Sequence, residues 1–237
     1  FRSDGLKWYS IGYDGLREYD MSCAWDISTS STNDTFATRP TTEFAESVWF
    51  KPDGTKAFMV ESVAAPIREL SFTTAWDVST ASYSGTTYTP AGSKTVKSLY
   101  FRSDGEKYYA LLSCEDVQEY SMSTPWDITT SSLLNSYSTT AQDNNPEGID
   151  FDSTGTKYFI VGKTGDKVYE YSMSTAWDIS TSSYTSREFS VASQTTDPSS
   201  VRFGNSGAKM YVMRKDSRVY QYTTASTYSG TVRSSVI

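Results

Sequence analysis

Carboxylates, indoles and amides are the groups with chemistry to offer in this 237-residue chain, because it contains no histidine. Without an imidazole, a Ser-His-Asp or Cys-His relay is excluded, as are His-ligated zinc and haem. Two carboxylate series recur. Asp4, Asp53, Asp104 and Asp152 stand in Gly-containing turns, but calcium needs about six to eight oxygens and a clustered Asp-x-Asp-x-Asp-Gly loop, so these read as hairpin turns and no metal is expected. Glu18, Glu69, Glu119 and Glu170 can in principle pair as acid and base. They occupy one equivalent place per repeat, however, and equivalent places lie apart, which predicts a structural role.

The Trp-Asp pairs Trp25-Asp26, Trp76-Asp77, Trp126-Asp127 and Trp177-Asp178 offer an exposed indole for a sugar face or a buried staple. In the staple each Asp accepts bonds from Ser/Thr amides two or three residues on. Recurrence favours the staple, with Gly54 and Gly105 as part of the same repeated frame. What varies between repeats is the better place to seek binding, since polar loops on a rigid scaffold carry function. The candidate ligand residues are therefore Tyr13, Asp14, Gln142, Asp143, Asn144, Asn145, Glu147, Gln194 and Asp197. Their amides and carboxylates suit sugar hydroxyls, a cation or a protein surface, though the same residue types also simply form turns.

The elements that position these groups follow from a repeat. Phe1, Phe50, Phe101, Phe151 and Phe203 are spaced by 49, 51, 50 and 52 residues, the mark of a repeat architecture. Each repeat parses into a short first strand ending at the Phe, a turn with Gly5, Gly54, Gly105, Gly155 or Gly207, and a second strand apolar on both faces. A third, alternating strand follows, then the Trp-Asp tract and an outer strand rich in Ser, Thr and Tyr. This predicts an all-β, five-bladed β-propeller of four-stranded antiparallel blades in one domain. The blades fall at about residues 232–237 plus 1–45, 46–95, 96–146, 147–198 and 199–231. Val232 to Ile237 is in register with a first strand and is expected to close the ring beside Lys7 to Gly12. The fifth repeat lacks the Trp-Asp tract, so its outer strand is expected to be short or absent. Ser47, Ser98, Gly148, Ser200 and Ser235 are expected to face the central channel, a small uncharged ring without carboxylates for a metal.

Net charge of −7 and a pI near 4.7 oppose a phosphate backbone as partner, so no nucleic acid is expected. No apolar run approaches the ~18 residues of a membrane helix. Cys23 and Cys114 stand at different phases of the repeat, which predicts free thiols. The opening at Phe1, inside a repeat, suggests a piece of a longer chain or assembly.

The phrases from Phe50 to Lys56, from Val168 to Ile179 and from Gln194 to Val201 resemble a repeat of β-propellers in marine phages and environmental bacteria. That resemblance implies a secreted or virion-associated protein, and brings no catalytic residues or cofactor. The blade count also resembles tachylectin-type lectins in architecture, without their sugar-binding phrases. The resulting expectation is a non-enzymatic structural or binding module touching glycan or protein. The alternatives are a propeller hydrolase or lactonase with a carboxylate-held metal, or a mechanical assembly unit.

Overall fold

A computed structural model describes residues 1–12, 15–36, 45–61, 66–91, 95–113, 116–224 and 232–234. Tyr13, Asp14, Cys114 and Ser235 lie outside the described residues. Each repeat forms its own antiparallel sheet, and the five sheets are the blades of a five-bladed β-propeller. The first contains β1 (Lys7–Gly12), β2 (Gly15–Met21) and β3 (Ser30–Phe36), and the second β4 (Ala45–Phe50), β5 (Lys56–Glu61), β6 (Ile67–Phe72) and β7 (Ala81–Tyr88). The third holds β8 (Val96–Phe101), β9 (Lys107–Leu112), β10 (Asp116–Met122) and β11 (Ser131–Ser138). The fourth holds β12 (Pro146–Phe151), β13 (Lys157–Gly162), β14 (Lys167–Met173) and β15 (Ser182–Ser190). The fifth comprises β16 (Pro198–Gly204), β17 (Lys209–Arg214), β18 (Val219–Thr224) and β19 (Val232–Ser234).

The chain divides into two compact units, Phe1–Ala110 with Glu119–Leu134 and Leu111–Gln118 with Asn135–Ile237, so the division passes through the third sheet. In the first unit the marker Phe is one step of an aromatic stack joining consecutive blades. Phe50 lies 4.2 Å from Tyr9 and 5.4 Å from Trp76, and Phe101 lies 4.4 Å from Phe58 and 6.0 Å from Trp126. Such offset aromatic contacts add to the area they bury. The second unit repeats the step with Phe159 and Phe203 at 4.4 Å, and with Phe151 and Trp177 at 5.8 Å.

The Trp-Asp tract is a turn followed by a short 3-10 helix, a detail beyond the expected loop. Asp26, Asp77, Asp127 and Asp178 cap these helices by accepting the N–H two residues on, at 3.0–3.1 Å. The preceding Trp residues sit at left-handed φ of 63–67°. Each indole is half-buried rather than fully buried and covers the Gly of its own blade's turn, while the carbonyl of that Gly accepts the backbone N–H of the Trp at 2.8–3.0 Å. In the fifth blade the Thr224 hydroxyl donates to the Gly207 carbonyl instead.

Two expectations are corrected. The described part of the expected closing strand, β19, pairs antiparallel with β18, with Thr224 opposite Val232, as the short outer strand of the fifth blade, and residues 235–237 of that expected strand lie outside the described residues. A return over the intervening residues closes a short loop, whereas reaching the first blade closes a loop of most of the chain, and loop entropy grows with length. The third strands are also more buried than simple alternation implies. Glu18, Glu69 and Glu119 are buried, and ion-paired to Lys7, Lys56 and Lys107.

Candidate functional site

The described candidate residues all fall in the second unit, in the two segments leading into β12 and β16 apart from Glu147, which lies on β12 itself. These segments are built alike. Gln142 accepts the Tyr171 hydroxyl at 3.0 Å, and Gln194 accepts the Tyr222 hydroxyl at 3.3 Å. The next residue, Asp143 or Thr195, is buried and accepts the N–H two residues on, from Asn145 at 2.8 Å or Asp197 at 3.0 Å. The carbonyls of Asn145 and Asp197 then accept Lys163 N–H at 3.0 Å and Lys215 N–H at 3.1 Å. Each segment is thus clasped to the turn between the second and third strands of its blade.

Asp143 is the most committed of these groups. Besides Asn145 N–H it accepts Thr164 N–H at 3.3 Å and Gly165 N–H at 2.8 Å. Three backbone donors on a buried carboxylate leave it little capacity for a ligand. Gly162 makes the approach possible, because a Cβ there would overlap the Asp143 carboxylate. The exposed Asn144 accepts the Thr164 hydroxyl at 2.6 Å, and Asp197 forms an ion pair with Lys163 across the fourth and fifth blades. Glu147 is buried at the start of β12. The structure therefore brings Gln142, Asp143, Asn144 and Asn145 together in one clasp, and Gln194 and Asp197 in its counterpart.

The innermost strands hold what the sequence reading missed. Ser47 accepts Leu99 N–H at 3.1 Å, and a Cβ on Gly148 would lie 2.7 Å from the Ser200 Cα, so these small residues let neighbouring first strands approach closely. The same strands carry charge beside these small residues. Asp150 is buried on β12, accepts Phe203 N–H at 2.6 Å and lies 3.9 Å from Arg202 of β16. Arg202 also donates to the Ile149 carbonyl. Burial pushes the Asp150 carboxyl up to about 6, with Arg202 partly opposing the rise. The signal was present: Asp150 and Arg202 occupy the place before the marker Phe where Trp49 and Tyr100 stand, 4.4 Å apart, in the second and third repeats.

The turn carboxylates are likewise engaged. Asp4, Asp53 and Asp104 accept the N–H two residues on, at 2.9–3.0 Å, and pair with Arg2, Lys51 and Arg102. Burial opposes ionisation of Asp53, but Lys51 and Thr55 outweigh it and hold the carboxyl down at about 2. Asp152 takes the basic residue's place in its repeat and reaches Thr156 and Lys157 N–H at 2.9 and 3.0 Å. Among the described residues no three Cys, Asp or Glu converge as a metal site would require.

Similarity to solved structures follows the fold. The chain resembles a Bacteroides uniformis protein assigned as a 6-phosphogluconolactonase, with TM-score 0.58, 13% identity, and 98% of this chain covering 67% of the other. It resembles the periplasmic gluconolactonase of Pseudomonas aeruginosa at TM-score 0.56 and 13% identity, 100% of this chain covering 68% of that one. A third match is the β-propeller domain of Cps50 (Swd1) from Myceliophteria thermophila, at TM-score 0.51 and 13% identity, 99% of this chain covering 69% of that one. At this identity the likeness defines the class, a β-propeller, and the chain spans about two thirds of each relative. No family description matches the sequence, and no curated protein does.

Proposed function

We propose that the chain is a non-catalytic binding and structural module, a propeller of a secreted or virion-associated protein that meets a glycan or a protein surface through its interblade loops. The observation that carries this reading is the fate of Asp143. The carboxylate at the centre of the clasp is buried, and is occupied by the amides of Asn145, Thr164 and Gly165. Asn144 and Thr196 stay exposed at the two clasps, so the rigid segments present amide and hydroxyl groups outward. Small polar groups on a pre-ordered loop suit hydroxyl-rich ligands, because little ordering entropy remains to oppose binding. A glycan array run with calcium and with chelator tests this. Chelator-insensitive signal that falls on Asn144→Ala supports it, and calcium-dependent signal removes the metal-free form of the proposal.

The second reading is a lactonase, favoured by the names of two structural relatives. Asp150 is the carboxyl whose raised pKa suits proton transfer, but its Oδ2 is engaged by Phe203 N–H. Hydrolysis of gluconolactone and 6-phosphogluconolactone, with and without divalent metal, separates the readings. Turnover above the spontaneous rate that is lost in Asp150→Asn replaces the binding module with an enzyme.

A further inference from the structure

Arginine stands two residues before aspartate at three places in this chain, and at one of them the two side chains do not engage closely. Arg2 and Arg102 grip Asp4 and Asp104 at 2.7 Å. Arg214 lies 3.6 Å from Asp216, beyond hydrogen-bond reach, and Arg218 lies 3.6 Å from the same Oδ2. The other Asp216 oxygen is turned to the backbone, accepting Arg218 N–H at 3.4 Å.

The turn that carries these arginines joins β17 to β18 and is fixed by its backbone. Arg214 N–H donates to the Arg218 carbonyl at 2.8 Å, and Ser217, at φ 70°, donates to the Arg214 carbonyl at 3.0 Å. Lys215 N–H ties the turn to the neighbouring clasp through the Asp197 carbonyl, while the Asp197 carboxylate is paired with Lys163. Lys215 and Arg218 are exposed, and among the described residues Lys215 has no ion pair. Three cations thus face one carboxylate within five residues, in a chain whose net charge is −7.

We propose that this turn of the fifth blade is an oxyanion subsite, taking the carboxylate or sulfate group of an acidic glycan. A guanidinium offers a planar fork of N–H donors that meets such a group in two parallel bonds, and at 3.6 Å neither fork is spent on Asp216. A local surplus of positive charge on an acidic protein also concentrates anions at that place. The hydroxyl-rich part of the ligand follows from what adjoins the turn. Exposed Thr196 directly precedes Asp197, and Lys163 N–H, on the Asn145 carbonyl, links the same ion pair to the clasp that presents Asn144. Cations beside hydroxyl and amide groups suit a charged sugar better than a plain carboxylate chain. The subsite rests on the glycan-binding reading of the interblade loops and names the class of glycan.

Calorimetric titration of the chain with a neutral galactose oligomer, its uronate and sulfate counterparts, and poly-glutamate tests the subsite. The expected result is tighter binding of a charged oligomer than of the neutral one, by a margin that shrinks as salt rises, with the tighter of the two charged arms identifying the group. Arg218→Ala should cut that preference about tenfold, while leaving neutral binding and the melting temperature near those of the parent. Arg102→Ala, which removes an arginine already committed to Asp104, should leave the preference intact. If Arg218→Ala fails to fold, Lys215→Ala carries the same test from an exposed position of the same turn. Equal binding of neutral and charged oligomers overturns the subsite and leaves the glycan-binding module standing, whereas binding of no oligomer overturns both. A preference indifferent to the turn variants, or equally lost in Arg102→Ala, also overturns the subsite, as does poly-glutamate bound as tightly as the uronate oligomer.

Discussion

At the scale of single residues, the turn glycines are fixed by two demands at once. Gly54 sits at φ 72°, and a side chain there would overlap the Trp76 indole. Gly54→Ala is therefore expected to cost roughly 2–4 kcal/mol, adding left-handed strain to overpacking. Chemical denaturation measures it, and a loss below about 0.5 kcal/mol, the scale of an ordinary surface change, would contradict the packing argument. Asp150 makes a prediction of the opposite kind, in pH. Its folded-state pKa of about 6 lies above the unfolded value near ~3.9. The protonated form is thus favoured by folding, so this group's contribution is fully present below about pH 4 and is lost as pH rises through about 6. The loss is on the order of 2–3 kcal/mol. Asp150→Asn should remove that decline, and the readout is the difference between parent and variant stabilities across the window. Parallel pH profiles for the two proteins would refute the assignment.

At the scale of elements, the third strand and the Trp-Asp tract are coupled through a buried acid. Glu18 pairs with Lys7, accepts Asn33 at 3.0 Å, and accepts Val78 N–H of the next blade's 3-10 helix at 3.1 Å. It therefore ties β2 to its own sheet and to its neighbour. Glu18→Ala should cost about 2–4 kcal/mol, below the full penalty of a broken buried pair because Lys7 can turn to solvent. Equilibrium unfolding of the variant checks this, and a loss no larger than a surface ion pair's would show that the Val78 contact carries nothing. The strands themselves were legible, because Phe spacing and turn glycines punctuate them to within a residue: the first strands expected to end at Phe50, Phe101 and Phe151 do so. The clasps were not legible. Sequence marks Asp143 and Asn145 only as polar turn formers, and their partners are backbone amides, which every sequence has. A quieter signal was Gly162, standing where the second and third repeats have Glu61 and Leu112, since a strand glycine often marks a close approach.

At the scale of the whole molecule, the repeat supplied the number of blades but not the allegiance of the last strand. The text from Ser234 to Ile237 matches a first strand, and that match pointed to the first blade. Pairing is decided by backbone partners, though, and the three residues Val232–Ser234 stand opposite Tyr222–Thr224. The two assignments differ in which edge a truncation uncovers. Removing residues 225–237 should strip protection from the β18 amides, because β18 then becomes an outer edge, while the β1 amides keep theirs. Hydrogen exchange on the parent and truncated proteins distinguishes the cases by which strand responds. Loss of protection at Lys7–Gly12 with β18 unchanged would return the C-terminal strand to the first blade, and would restore the closure that its sequence suggests.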